Sequence, residues 1–120
     1  MRVILFQSRF ADKILSGLKT STIRKTARCK PGDTLSLRCW QGLPRRSKQD
    51  VLLQVPCLSV LPIVLDFDEL FSIEVNGIFQ DHFDRREIWQ HEGFDGEDNM
   101  RDWFLENHGL PFSGWMITWR

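Results

Sequence analysis

Apolar and polar residues alternate along this chain in short runs, and turn-forming residues separate one run from the next. This restricts the fold more than any other feature, because a period of two belongs to a strand with one buried face. Val3–Phe6 reads as a short buried strand. Thr20, Thr22 and Arg24 alternate with Ser21 and Ile23; Leu35, Leu37 and Cys39 alternate with Thr34, Ser36 and Arg38 within Thr34–Trp40; Trp115, Ile117 and Trp119 alternate with Met116 and Thr118. Val51–Val55 and Cys57–Leu65 are apolar on both faces, as central strands of a closed or covered sheet are, with Pro56 and Pro62 marking breaks or edges. Phe71–Val75, Asn76-Gly77 and Ile78–Phe79 give a hairpin signal, since Asn-Gly suits a type I′ turn.

Helical spacing is confined to three places. Ser8 is expected to cap a helix of about two turns. Phe10 with Ile14, and Ala11 with Leu15, form its apolar stripe, and Gly17 supplies the left-handed residue that ends it. Asp84 and Glu87 have capping-box spacing for a helix that runs towards His91 and ends at Gly93. A further helix starts near Asp95, carries Met100, Trp103, Phe104 and Asn107 down one side and stops at Gly109. Lys30-Pro31-Gly32-Asp33 is a turn, and Gln41–Gln49 is a polar loop holding Arg45, Arg46 and Lys48, read as solvated. Many short strands, two or three short helices and no regular βαβ alternation predict a small α+β barrel and argue against a Rossmann-type sheet. With 120 residues and no repeat, low-complexity tract or linker, the chain reads as one domain over residues 1–120.

Composition narrows the functional classes. The three cysteines, Cys29, Cys39 and Cys57, form no C-x-x-C pair, and His82, His91 and His108 complete no ligand spacing with them, so neither a structural metal nor a disulfide framework is expected. Free thiols suit a reducing compartment, and a cytoplasmic location is expected. Val3–Phe6 is too short for a secretion-signal core, and Val51–Leu65 is too short and too interrupted to span a bilayer. Nine Phe and five Trp stand against no Tyr. Trp40, Trp89 and Phe94 are candidates for stacking a base, with core packing the ordinary role of each. The net charge of zero conceals an asymmetry: 12 Lys and Arg against 3 Asp and Glu in residues 1–60, and 4 against 13 in residues 61–120. Either the two halves neutralise each other in space, or the first half builds a basic face suited to a phosphate backbone.

No P-loop, G-x-G-x-x-G or G-x-S-x-G is present, and His91-Glu92 lacks the second histidine of a zincin. The densest cluster of chemically capable side chains is Gly17–Arg24, where one lysine, three hydroxyls and one arginine lie together at an element junction. On a strand Thr22 and Arg24 project from the same face, and Lys19 lies in the turn just before. Such a segment is either a polar edge strand or a site.

Gly17, Lys19 and Arg24 match G-x-K-x-x-x-x-R, and the match extends to Phe6-Gln7-Ser8-Arg9-Phe10 with Ile14, to Lys30-Pro31-Gly32-Asp33, to Glu92-Gly93-Phe94, to Trp103-Phe104 and to Trp115–Trp119. In these segments, in this order, the chain resembles the ASCH domain family, whose PUA-like β-barrel is related to RNA-binding domains. The Lys-Thr-x-Thr-Ile-Arg run is similar to that of the family's small bacterial branch, which hydrolyses N(4)-acetylcytidine. The resemblance implies a catalytic lysine at Lys19, a nucleophilic threonine at Thr22 and a catalytic carboxylate at Glu92, with Glu74 the next carboxylate to test. It further implies substrate binding by Arg24, Thr20 and Arg9, with no metal and no cofactor.

Amide hydrolysis through a threonine requires a base for its proton, an acid for the leaving amine and donors for the oxyanion. A lysine becomes a usable base when burial or a neighbouring cation such as Arg24 lowers its pKa. The expectation is therefore a metal-independent amidohydrolase of an N-acylated nucleoside. Its alternatives are an RNA-binding module in which Lys19 and Arg24 hold phosphate and Thr22 bonds a base edge, and a ribonuclease. The expected partner is a modified nucleoside or RNA, without a membrane or an obligate protein partner.

Overall fold

A computed structural model describes residues 1–119. Eight strands in two sheets and three α-helices form an α+β fold. The order is β1 (Arg2–Phe6), α1 (Ala11–Ser16), β2 (Ser21–Arg24), β3 (Thr34–Trp40), β4 (Gln49–Pro56), β5 (Ser59–Phe67), β6 (Phe71–Val75), β7 (Ile78–Phe79), α2 (His82–His91), α3 (Glu97–Asn107) and β8 (Phe112–Thr118). One sheet has the order β1-β3-β4 and the other β2-β8-β5-β6-β7. Among the described residues no strand pairing joins the two sheets into a closed barrel; β1 edges the first sheet and β2 edges the second.

Alternation builds the core. Ile4 and Phe6 of β1, Leu35 and Leu37 of β3, Ile63 and Leu65 of β5, Ile73 of β6 and Ile117 of β8 are buried in one cluster. Met100 and Phe104 of α3 join it, as the spacing of that helix predicts. Phe94 belongs to the core, edge-on to Phe10 at 5.9 Å between ring centroids. Trp40 and Trp89 are half-buried.

Several local expectations change. Ser8 opens a 3-10 turn, Ser8–Phe10, that leads into α1, and its side chain caps neither. Asp81, not Asp84, caps α2: its side chain accepts from the Asp84 backbone N–H at 2.8 Å. The two aspartates lie three residues apart, so local spacing alone does not choose between them. Apolar on both faces in sequence, β4 nonetheless lies at a sheet edge, where Val51 is exposed. By contrast β5 is central, between β8 and β6. Pro62 is tolerated there because the ladder with β6 starts one residue later, at Ile63. The hairpin forms as read, with positive φ at Asn76 and Gly77.

Candidate active site

Gly17 ends α1 in the left-handed conformation, φ +82°. The chain then runs past Lys19 into β2, which among the described residues pairs only with β8, from Ser21 opposite Thr118 to Arg24 opposite Trp115. Thr20 joins the same ladder, its carbonyl accepting from the Trp119 N–H at 3.0 Å. Its side chain makes no hydrogen bond among the described residues.

What faces this strand is the C-terminus of α2. Gly93 (φ +89°) donates to the Gln90 carbonyl and Phe94 to the Trp89 carbonyl, the bonding pattern of a Schellman stop. The carbonyls that remain at a helix end carry partial negative charge and need donors. Three consecutive ones find them in a single segment. The His91 carbonyl accepts from the Thr20 N–H at 2.8 Å, that of Glu92 from Lys19 Nζ at 2.6 Å, and that of Gly93 from Lys13 Nζ at 2.6 Å. Lys13 also pairs with Asp95 at 3.1 Å.

This stapling buries Lys19 and Glu92, 3% and 2% exposed, with Nζ 3.9 Å from Glu92 Oε1. The other carboxylate oxygen, Oε2, accepts from Ser21 Oγ. Lys19 Nζ also lies over two rings, 4.8 Å from the centroid of Phe10 and 5.6 Å from that of Phe6. Burial is the largest influence on the amine and lowers its pKa; Glu92 acts in the opposite sense, and Arg24 and Lys13 push it down further. The outcome is a pKa lowered from 10.5 to about 8.

Thr22 and Arg24 occupy the other face of β2. Arg24 Nε donates to Thr22 Oγ1 at 3.1 Å, and its NH2 donates to the Leu5 carbonyl at 2.8 Å. The guanidinium lies 4.9 Å from the Phe6 ring centroid, so Lys19 and Arg24 both approach one aromatic ring. The expected trio is thus divided. Lys19 and Glu92 meet, whereas Thr22 bonds Arg24, and no hydrogen bond among the described residues links it to either partner. No family model, curated protein or solved structure matches the chain.

Ser21 is the residue that the sequence reading passed over. Strict alternation places it with Lys19, one face away from Thr22, and that parity was the available signal. Glu74 lies on β6 between the buried Ile73 and Val75, on the face turned away from the core. Arg9 is exposed and stacks on Phe10, its guanidinium carbon 4.9 Å from the ring centroid, beside a surface pocket lined by Asp102 and Glu106. Neither joins the Lys19 cluster. Two cavities flank the cluster: one of about 560 Å³ beside Leu18, Trp89 and Gly93, and one of about 370 Å³ between β1 and β2. No group of three or more His, Cys, Asp or Glu side chains among the described residues is placed to hold a metal ion. No helix among them is long and apolar enough to cross a membrane.

Proposed function

We propose that the protein is a metal-independent amidohydrolase of an N-acylated nucleoside, N(4)-acetylcytidine being the type substrate, with the PUA-like barrel of the ASCH family as its architectural parent. One observation carries this reading: a lysine amine sealed against a carboxylate, with its pKa lowered to about 8. An ordinary surface lysine is a poor base near neutral pH, and this one is within reach of the neutral form.

In the proposed reaction Thr22 Oγ1 attacks the acyl carbonyl carbon and its proton passes to neutral Lys19 Nζ. The Arg24 guanidinium, which already donates to Thr22 Oγ1, favours the developing alkoxide and then the tetrahedral oxyanion. Collapse breaks the C–N bond, and the protonated Lys19 amine returns its proton to the leaving exocyclic nitrogen of cytidine. Water then attacks the threonyl ester, giving up a proton to Lys19, and acetate leaves as Thr22 recovers its hydroxyl. Glu92 holds the lysine and Ser21 holds Glu92. Lys19 and Thr22 share no hydrogen bond among the described residues, so the proposed proton transfer between them runs through a bridging water in the substrate complex.

Acetate release from N(4)-acetylcytidine tests the reading directly. Wild type turns over; Thr22→Ala loses at least about a thousandfold, as expected when a nucleophile is removed; Ser21→Ala loses tenfold or less. No turnover by wild type ends the proposal. A large loss in Ser21→Ala with a small one in Thr22→Ala moves the nucleophile to Ser21. Binding of RNA by wild type without hydrolysis favours the binding-module reading instead.

A further inference from the structure

A seam lies between the two sheets. There β1 and β2 run as free edges of separate sheets, and the cavity of about 370 Å³ between them is lined by Arg2, Leu5, Arg24, Lys25 and Thr26 among others, with no Asp or Glu in its wall. Three cations therefore line one small space whose wall holds no acid among the described residues, with Glu92 acting on Arg24 from outside it. Neither Arg2 nor Arg24 takes part in a salt bridge among the described residues.

Arg24 is half satisfied: its Nε and NH2 find Thr22 and the Leu5 carbonyl. Arg2 is not. Its Nε is buried and has no hydrogen-bond partner, although buried donors in folded proteins almost always have one. Burial is the largest influence lowering the Arg24 pKa; Glu92 acts in the opposite sense, and nearby Arg2 lowers it further. Two neighbouring guanidiniums, one with an unpartnered N–H, beside a cavity of about 370 Å³ make a site suited to an anion. A phosphate fits that chemistry best, since forked guanidinium donors match its oxygens.

We propose that the β1–β2 seam is a subsite for the phosphate of a nucleotide, with Arg2 and Arg24 as its donors and exposed Lys25 at its mouth. The nucleotide's identity rests on the reading of the Lys19–Thr22 site above; the anion site does not. Arg24 connects the two, since one guanidinium borders the seam and bonds Thr22. The preferred substrate is then a phosphorylated N-acylcytidine, either a free nucleotide or a residue within RNA.

Calorimetric titration separates these cases, with cytidine, cytidine 5′-monophosphate and a short oligocytidylate as probes at low salt. The monophosphate is expected to bind at least tenfold more tightly than cytidine, and raised salt should narrow the gap, as for any phosphate contact. The gap should shrink at least fivefold in Arg2→Gln and in Lys25→Ala, both checked for folding by their melting transitions; Lys25 is exposed, so its variant remains informative if Arg2→Gln does not fold. Oligocytidylate binding tighter than the monophosphate assigns the seam to RNA, and equal affinity assigns it to free nucleotide. Equal affinity of cytidine and its monophosphate overturns the proposal, as does a gap that survives in both variants. Acetate release is measured separately: a phosphate preference without turnover removes the hydrolase reading and leaves the subsite standing.

Discussion

Lys19 is held in place by opposing influences whose balance can be shifted one side chain at a time. Burial lowers its pKa, Glu92 raises it, and Arg24 and Lys13 lower it again. At pH 7 a group with a pKa of about 8 is neutral in roughly one molecule in ten, so activity limited by the free base should rise with pH and level off above about 8. Glu92→Gln removes the influence that favours the charged amine. The inflection of kcat/KM should then move to lower pH, even as the lost carboxylate lowers the maximal rate. Arg24→Gln removes a repelling cation, and its inflection should move to higher pH. A pH–rate series over the three proteins checks both, and shifts in the same direction would contradict the assignment of Lys19 as base.

At the scale of elements, the site exists because a helix stop and a strand entry fit one another. Gly93 is where they touch. A β-carbon there would stand 3.3 Å from Cβ and Cδ of Lys19, on a backbone with φ +89°. Gly77 has a similar φ of +80° with nothing within 4 Å, so it isolates the backbone term. Each Gly→Ala change should cost about 1–2 kcal/mol of stability through the left-handed conformation alone. Only Gly93→Ala should also lower kcat, by tenfold or more, because it displaces the lysine stem. Thermal melting and turnover of the two variants check this, and equal activity would contradict it. The apolar run of β1, the alternations of β2, β3 and β8 and the Asn76-Gly77 hairpin were legible in sequence because each is set by near neighbours. The position of β4 at an edge was not, since a strand's own residues do not state what lies beside it. The Lys19–Glu92 contact joins residues 73 positions apart, beyond any local period; only the family resemblance pointed to it. Ser21 was legible by parity with Lys19, but the resemblance drew the reading to Thr22.

For the whole molecule, the two oppositely charged halves of the chain do not cancel through direct contact. Of the basic residues in the first sixty positions, only Lys13 and Lys19 pair with acids of the second half among the described residues. The other ion pairs lie within the second half, as in Arg85–Glu97 and Arg101–Asp98. Much of the basic charge therefore remains available to an anion, which is the setting in which the β1–β2 seam lies. The halves are also joined by the ladder of β2 on β8 and by the hydrogen bonds from Lys13, Lys19 and Thr20 to the end of α2. Gly114 lets the strands approach: a β-carbon there would strike the Arg24 carbonyl oxygen and the Phe112 ring. Gly114→Ala should therefore loosen β2 and lower both melting temperature and turnover, and amide exchange at Thr22 and Arg24 would report it. Unchanged protection would contradict the role given to this pairing.

That ladder also imposes an order in time. Lys19 and Ser21 leave the ribosome 73 and 71 residues ahead of the carboxylate they meet, and β2 waits longer still for β8, its strand neighbour. During that interval Lys19 has neither the burial nor the carboxylate neighbour that set its pKa in the folded chain.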